Sequence, residues 1–371
     1  MQNPLRGDDI VFSYFNSVDL RFGENAISSV NFTLYGKKAF IVTGKSGSSK
    51  KNSAMKDLLN LFDSQGISYE FFSEVEENPS FDTVDKGAEL FRTKRCEFVV
   101  GIGGGSPMDV AKAIAASAKM EKKVADLYRI KDTISCYPVI EITTTSGTGS
   151  EVTQYSVLTS PDDKKLGLRT NKLFPKVAIV DPRYTLTMPV DVTISTGLDA
   201  LSQLVESIIS KTSTPLTDAI AVKGIELIKS SLPEVVKHAS SLEHRSNVAM
   251  AATFSGLTIS QTGTTIVHAL GYPITSHLGI RHGLANALTL SRIVKNAQRF
   301  DPERVKIATA PFGGVNGLSE FVDSIYPRPK LKLSEKDAET FAGEIDLKSG
   351  QVLNTPGNYD FGFVKEIYMS L

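Results

Sequence analysis

His268 and His282 stand fourteen residues apart in TTIVHALGYPITSHLGIRHGLANAL, a stretch holding three of the five histidines of this 371-residue chain. Neutral imidazole is the commonest side-chain ligand for zinc, iron and similar ions. Two rings converging from a helix and the Gly/Pro-bearing turn after it would make half of a metal site, with the other ligands to come from elsewhere. The same spacing also suits one hydrogen-bonded core histidine and one surface histidine. Asp199, Ser202, Gln203 and Glu206 share a face of a predicted helix opposite Leu198, Leu201, Val205 and Ile208, and by themselves read as a solvated polar stripe. His238, His244 and His277 read as surface residues.

Two glycine-bearing loops offer a different chemistry. EFVVGIGGGSPMDVAKAIA sets four glycines between an apolar strand and a helix, where backbone N–H groups and the helix N-terminus can approach a pyrophosphate without Cβ interference. Gly104, Gly105, Ser106 and Asp109 are the candidate contacts. Ser106 as N-cap with Asp109 at N3 also makes a capping-box variant, and Val110, Ala113, Ile114 and Ser117 mark the face toward a sheet. The GxGxxG fingerprint fails, because Ser106 stands where its third glycine belongs. One βα unit later, ITTTSGTGSEV presents Thr143, Thr144, Thr145, Ser146, Thr148 and Ser150 around Gly147 and Gly149, hydroxyl donors suited to phosphate or ribose oxygens. The first strand ends in VTGKSGSSKK, which is not an ATP-binding loop, since Ala39 occupies the position of its first glycine. Gly44 followed by Lys45, Ser46, Ser48, Ser49, Lys50 and Lys51 leaves room and positive charge for a 2′-phosphate, which favours NADP over NAD.

These loops need a scaffold, and the chain supplies its pattern. From Lys38 to Asp181, continuous apolar strands alternate with amphipathic helices, the rhythm of a parallel sheet covered on both faces. Beyond Pro189, helix-compatible segments dominate: 194–209, 217–227, 232–238, 247–261, 264–270 and 285–298. We place the boundary near DPRYTLTMPVD, giving an α/β domain over residues 1–187 and an all-α domain over 188–371. The hydrophobic fraction of 41% fits a globular protein, and 41 basic against 41 acidic residues leave no field for nucleic acid. Two cysteines without CxxC spacing, no signal-peptide pattern and no eighteen-residue apolar run predict a cytoplasmic protein without a membrane partner.

Together these pieces resemble the iron-containing (group III) alcohol dehydrogenase family. The resemblance spans nearly the whole chain: FGENA, VTGKS, ENPSFD, GGGSPMDVAKA, TTSGTGSEVT, DPRYT, STGLDALSQLVE, HALGYP and RHGLANAL, in the family's order. It implies a dehydroquinate synthase-like fold, with a divalent metal in the cleft between an α/β dinucleotide-binding domain and an all-α domain. Cofactor contacts follow for the Gly104–Ser106 turn and the Thr144–Thr148 loop, with Lys165 and Asn78 as further candidates. The family's metal is held by an aspartate, a histidine four residues later, and two histidines fourteen apart. Asp199, His268 and His282 match three of these positions. Gln203 occupies the other, on the same helix face but with a neutral amide that binds Fe²⁺ or Zn²⁺ less well than imidazole. Tyr272 stands where many relatives carry a histidine near the nicotinamide, which makes it and His282 the candidate catalytic groups. The implied activity is metal-dependent, NADP(H)-linked interconversion of small primary alcohols and aldehydes by a homodimer. The alternatives are a glycerol- or propanediol-type polyol dehydrogenase, a dehydroquinate-synthase-like lyase, and a nucleotide-binding protein whose metal site has decayed at Gln203.

Overall fold

The computed structural model of the protein describes residues 11–45, 52–162 and 164–371; Ser46, Ser48, Ser49, Lys50 and Lys51 lie outside them. Six strands form one parallel sheet in the order β1-β8-β5-β4-β2-β3: β1 (Asp19–Phe22), β2 (Lys38–Gly44), β3 (Ser68–Val75), β4 (Phe98–Gly103), β5 (Val139–Thr143) and β8 (Val177–Val180). Side-chain alternation assigns the faces. Phe40 and Val42 join Phe72, Phe91 and Val99 in one core, while Ala39 and Ile41 join Leu58, Phe62, Phe98 and Val100 in the other. The covering helices include α1 (Ser53–Gln65), α2 (Phe81–Thr93), α3 (Gly105–Met120) and the short α4 (Val124–Leu127). A hairpin of β6 (Tyr155–Thr159) and β7 (Lys165–Arg169) follows the threonine-rich loop. It and β1 are additions to the elements the apolar runs predict.

The chain leaves β2 to form β3 on one side, then returns to place β4 on the other. That reversal opens a crevice at the carboxyl ends of β2 and β4, the usual place for a ligand in such sheets. Gly103 pairs with Thr143, so the Gly104 turn and the threonine loop leave the sheet side by side.

The remaining helices are α5 (Val190–Ile209), α6 (Pro215–Lys237), α7 (Leu242–Thr262), α8 (Ile266–Leu278), α9 (His282–Ala297), α10 (Pro302–Thr309), α11 (Val315–Ile325), α12 (Glu335–Gly343), α13 (Gly350–Leu353) and α14 (Phe361–Met369). One compact unit comprises Asn16–Thr193 with Glu234–Gly256; Ile194–Pro233 and Leu257–Leu371 belong to the other. Close packing explains why the first includes part of α7. A Cβ on Gly149 would lie 2.5 Å from Gly256 Cα, and one on Gly256 would lie 2.3 Å from the Gly149 carbonyl oxygen. Gly149 also has φ +60°, a conformation that favours glycine.

Two local expectations are corrected. The Gly/Pro segment after His268 is not a turn, since α8 continues through Gly271 and Pro273 to end at Gly279, φ +65°. Gly271 is needed there for packing: a Cβ would stand 2.1 Å from Asn286 Oδ1 on α9. Pro233 likewise lies within the single helix α6, where two helices were expected.

Candidate functional site

In the sheet unit, Gly104 is the N-cap of α3 and no side chain caps it, so the expected Ser106–Asp109 capping box is absent. Asp109 instead accepts from Ser150 Oγ at 2.6 Å and from the Val157 N–H at 2.9 Å. It is needed by the neighbouring loop, which outweighs local capping. The first N–H groups of α3 are left to an external acceptor, as an anion cradle requires. Bare glycines let the two loops close on each other. A Cβ on Gly104 would meet Thr145 Oγ1 at 3.1 Å, and one on Gly105 would meet Thr148 Cγ2 at 2.9 Å. Thr144 is buried and donates its N–H to the Gly103 carbonyl at 2.8 Å. Lys165 donates to Asn78 Oδ1, joining β7 to a residue held at φ +56°. Burial pulls the Lys165 ammonium down to about 8, against the opposing pull of Asp109. Gly44 ends β2, and the Lys45 N–H is fixed by the Val75 carbonyl at 2.8 Å.

Lys112, which the alanine-rich α3 sequence does not single out, anchors this arrangement. Its ammonium is fully buried and donates to Ser150 O at 2.6 Å, Ser150 Oγ at 2.8 Å and Tyr155 O at 3.0 Å. Glu141 Oε2 lies 3.8 Å from it, and neither Glu141 oxygen has a hydrogen-bond partner. Burial pushes Glu141 up to about 8, with Lys112 opposing the rise and Asp109 and Glu151 adding to it. Glu151, held at 3.5 Å by Thr253 Oγ1, is raised by burial to about 7.

The helical unit gathers the sequence-predicted ligands. One ligand atom each from Asp199, His268 and His282 lies within 4.8 Å of the others. Asp199 Oδ1 is 3.6 Å from His268 Nε2 and 3.9 Å from His282 Nε2. Gln203, one turn along α5, turns its Nε2 to Asp199 Oδ2 at 3.3 Å. Asp199, Ser202, Gln203 and Glu206 are all buried, so the solvent-facing stripe is corrected: α5 packs on both faces. Gly283 makes this convergence possible, because a Cβ there would stand 1.9 Å from the Ser195 carbonyl oxygen and 2.8 Å from Asp199 Cβ.

Two residues beyond the predicted set complete the cluster. Glu206 Oε2 meets His268 Nδ1 at 2.5 Å. The Asn286 amide stands 3.0 Å from Asp199 Oδ1 and 3.2 Å from His282 Nε2. Their signal in the sequence is register alone: Glu206 is seven residues from Asp199, and Asn286 four from His282. Tyr272 stacks on the His282 ring at 5.6 Å and 11°. His277 stands apart, paired with Glu344 at 2.6 Å and stacked on Phe341. Burial pushes Asp199 up to about 6, against the pull of His268 and Asn286. Burial opposes charge on His268, yet Glu206 and Asp199 together raise it. Two buried carboxylates converging on imidazoles fit a divalent cation, with Asp199, His268 and His282 as donors.

Known proteins agree with this architecture. Residues 17–182 match the iron-containing alcohol dehydrogenase model, and 193–327 match the C-terminal model of the Fe-containing alcohol dehydrogenase family. The chain is 33% identical over 359 residues to a 1,3-propanediol dehydrogenase of Klebsiella pneumoniae, covering 90% of this chain and 92% of that one. It is 32% identical over 313 residues to an NADPH-dependent butanol dehydrogenase of Clostridium saccharobutylicum, covering 83% and 80%. An iron-containing alcohol dehydrogenase structure from Thermotoga maritima superposes with a TM-score of 0.91 at 42% identity, covering 96% and 98%. The chain therefore belongs to the iron-containing alcohol dehydrogenase family, whose members are NAD(P)-dependent oxidoreductases acting on alcohols.

Two outcomes follow from this geometry. Gly283→Ala forces α9 away from α5 and separates His282 from Asp199, so we expect metal affinity to be lost while helix content is kept. Titration with Co²⁺ checks this, and wild-type affinity would contradict it. Glu141, raised in the folded state, keeps its proton when the unfolded chain has already lost it. Its contribution to stability is full below about pH 4.5 and falls as pH rises toward about 8. Denaturation of Glu141→Gln across that window should show a shallower decline than wild type; parallel curves would contradict the assignment.

Proposed function

We propose that the protein catalyses reversible hydride transfer between C4 of a nicotinamide and a small primary alcohol or aldehyde, using NADP(H) and Fe²⁺, with Zn²⁺ as the other suitable ion. The observation that carries this reading is the convergence of one buried carboxylate and two imidazoles, each tied to a further polar group. When bound, the metal supplies Lewis acidity to the substrate oxygen, and the nicotinamide gives or takes the hydride.

The remaining tasks fall to the chain. Gly104, Gly105, Ser106, Thr145 and Thr148 hold the diphosphate, while Asp109 and Thr144 fix the loop that presents these threonines. Lys165 and Asn78 act as a pair beside them. Gln203 and Asn286 keep the Asp199 carboxylate oriented, and three protein donors leave room for an exchangeable oxygen ligand. Tyr272 keeps the His282 ring in plane and offers a phenol for proton exchange with product alcohol. NADP is favoured because β2 ends at Gly44 and is followed by Lys45, with no acid at the strand end for a ribose 2′-hydroxyl. Glu76 nearby accepts from Ser80 and Thr83 and lies 3.9 Å from the Lys45 ammonium. The nucleotide-binding part over 1–187, the metal-binding part over 188–371 and a cytoplasmic homodimer belong to the same proposal. Among the described residues no helix is long and apolar enough to cross a membrane.

The test is anaerobic oxidation of NADPH or NADH with a panel of short aldehydes, 3-hydroxypropanal included, on Fe²⁺-loaded protein. We expect turnover with a higher kcat/KM for NADPH. A silent nicotinamide absorbance across the panel would overturn the activity, and preference for NADH would overturn the nucleotide assignment.

A further inference from the structure

Glu206 is fully buried, yet it forms no ion pair with a lysine or arginine among the described residues; its charged partner is His268. Its two oxygens have different tasks. Oε1 accepts the Thr265 N–H at 2.8 Å, Thr265 Oγ1 at 2.7 Å and, more distantly, the His268 N–H at 3.4 Å. These donors lie at the start of α8, where Thr265 makes no side-chain cap of its own. Oε2 faces His268 Nδ1 at 2.5 Å. One carboxylate thus fixes the helix that carries His268 and the ring on that helix.

A carboxylate only accepts, so an imidazole bonded to it through Nδ1 carries its proton there. In the neutral ring the other nitrogen, Nε2, is then bare, and it is the one that faces Asp199 at 3.6 Å. We propose that Glu206 is the positioning residue of the metal centre: it holds His268 in the Nδ1–H tautomer and so presents Nε2 as a ligand. This rests on the metal-dependent reading above and adds a group that acts on the ligand, not on the ion.

Glu206→Gln separates shape from tautomer. The single amide oxygen can serve either Thr265 or His268, not both. Turned toward His268, it would set an NH₂ against the Thr265 backbone N–H, two donors face to face. The favoured arrangement therefore keeps the oxygen on Thr265 and points the NH₂ at Nδ1. That nitrogen must then accept, and the ring proton moves to Nε2, where it blocks a metal.

The experiment records ¹⁵N spectra of histidine-labelled, metal-free protein at alkaline pH, where the ring is neutral, with His268 assigned by its loss in His268→Gln. Wild type should show a protonated Nδ1 and a bare Nε2, and Glu206→Gln the reverse. Co²⁺ affinity of that variant should fall about 10- to 100-fold with far-UV circular dichroism unchanged. Thr265→Val, which removes a hydroxyl contact and keeps the carboxylate, should leave tautomer and affinity near wild type. A wild-type His268 protonated on Nε2 would overturn the proposal without any variant. So would a folded Glu206→Gln with unchanged spectrum and affinity. A tautomer switch in protein that binds no Co²⁺ would support the action of Glu206 on His268 and overturn the metal-dependent reading instead.

Discussion

Two carboxylates carried by one helix into an apolar interior govern the helical unit. Asp199 and Glu206 are both on α5 and both buried. A lone ionised carboxylate there costs several kcal/mol, so each must have partners. Those partners are His268 from α8, with His282 and Asn286 from α9. Close approach follows as a consequence. Gly271 yields space to Asn286, and Gly283 lets the start of α9 sit against the α5 backbone. Burial raises Asp199 against the pull of His268 and Asn286, while Glu206 and Asp199 raise His268 against its burial. A divalent ion at these atoms would compete with protons for them, which makes its binding pH-dependent.

The sheet unit solves a related problem with the opposite charge at its centre. The buried Lys112 ammonium draws in the carbonyls of Ser150 and Tyr155, and so bends the threonine loop back over α3. Asp109 secures the same loop from the other side. With its inner face satisfied in this way, the loop can hold Thr145 and Thr148 against Gly104 and Gly105. A phosphate cradle made of backbone and small hydroxyls needs such a rigid base, because its own contacts are few and short.

The strands were legible because parallel strands buried on both faces read as continuous apolar runs, and KAFIVTG and PVIEITT do so plainly. The edge strand β1 and the hairpin β6–β7 carry mixed patterns, half exposed, and apolar runs do not reveal them. Asp199, His268 and His282 were legible through their resemblance to a known motif. The burial of their helix was not, since an α5 face of Asp, Ser, Gln and Glu looks solvated until partners from two other helices arrive. Glu206, Asn286 and Lys112 share this history: each is polar, and each is explained by a contact far away in the chain. Tertiary demand also overrode local signals at Pro273, which lies inside a helix, and at Asp109, which left its capping role for Ser150.

The most direct test of the account is metal content by elemental analysis of anaerobically purified protein, wild type beside Asp199→Ala. Iron or zinc near one per chain is expected in the wild type and its loss in the variant, with both proteins folded. Metal retained without Asp199, or absent from both even after loading with Fe²⁺ or Zn²⁺, would contradict it.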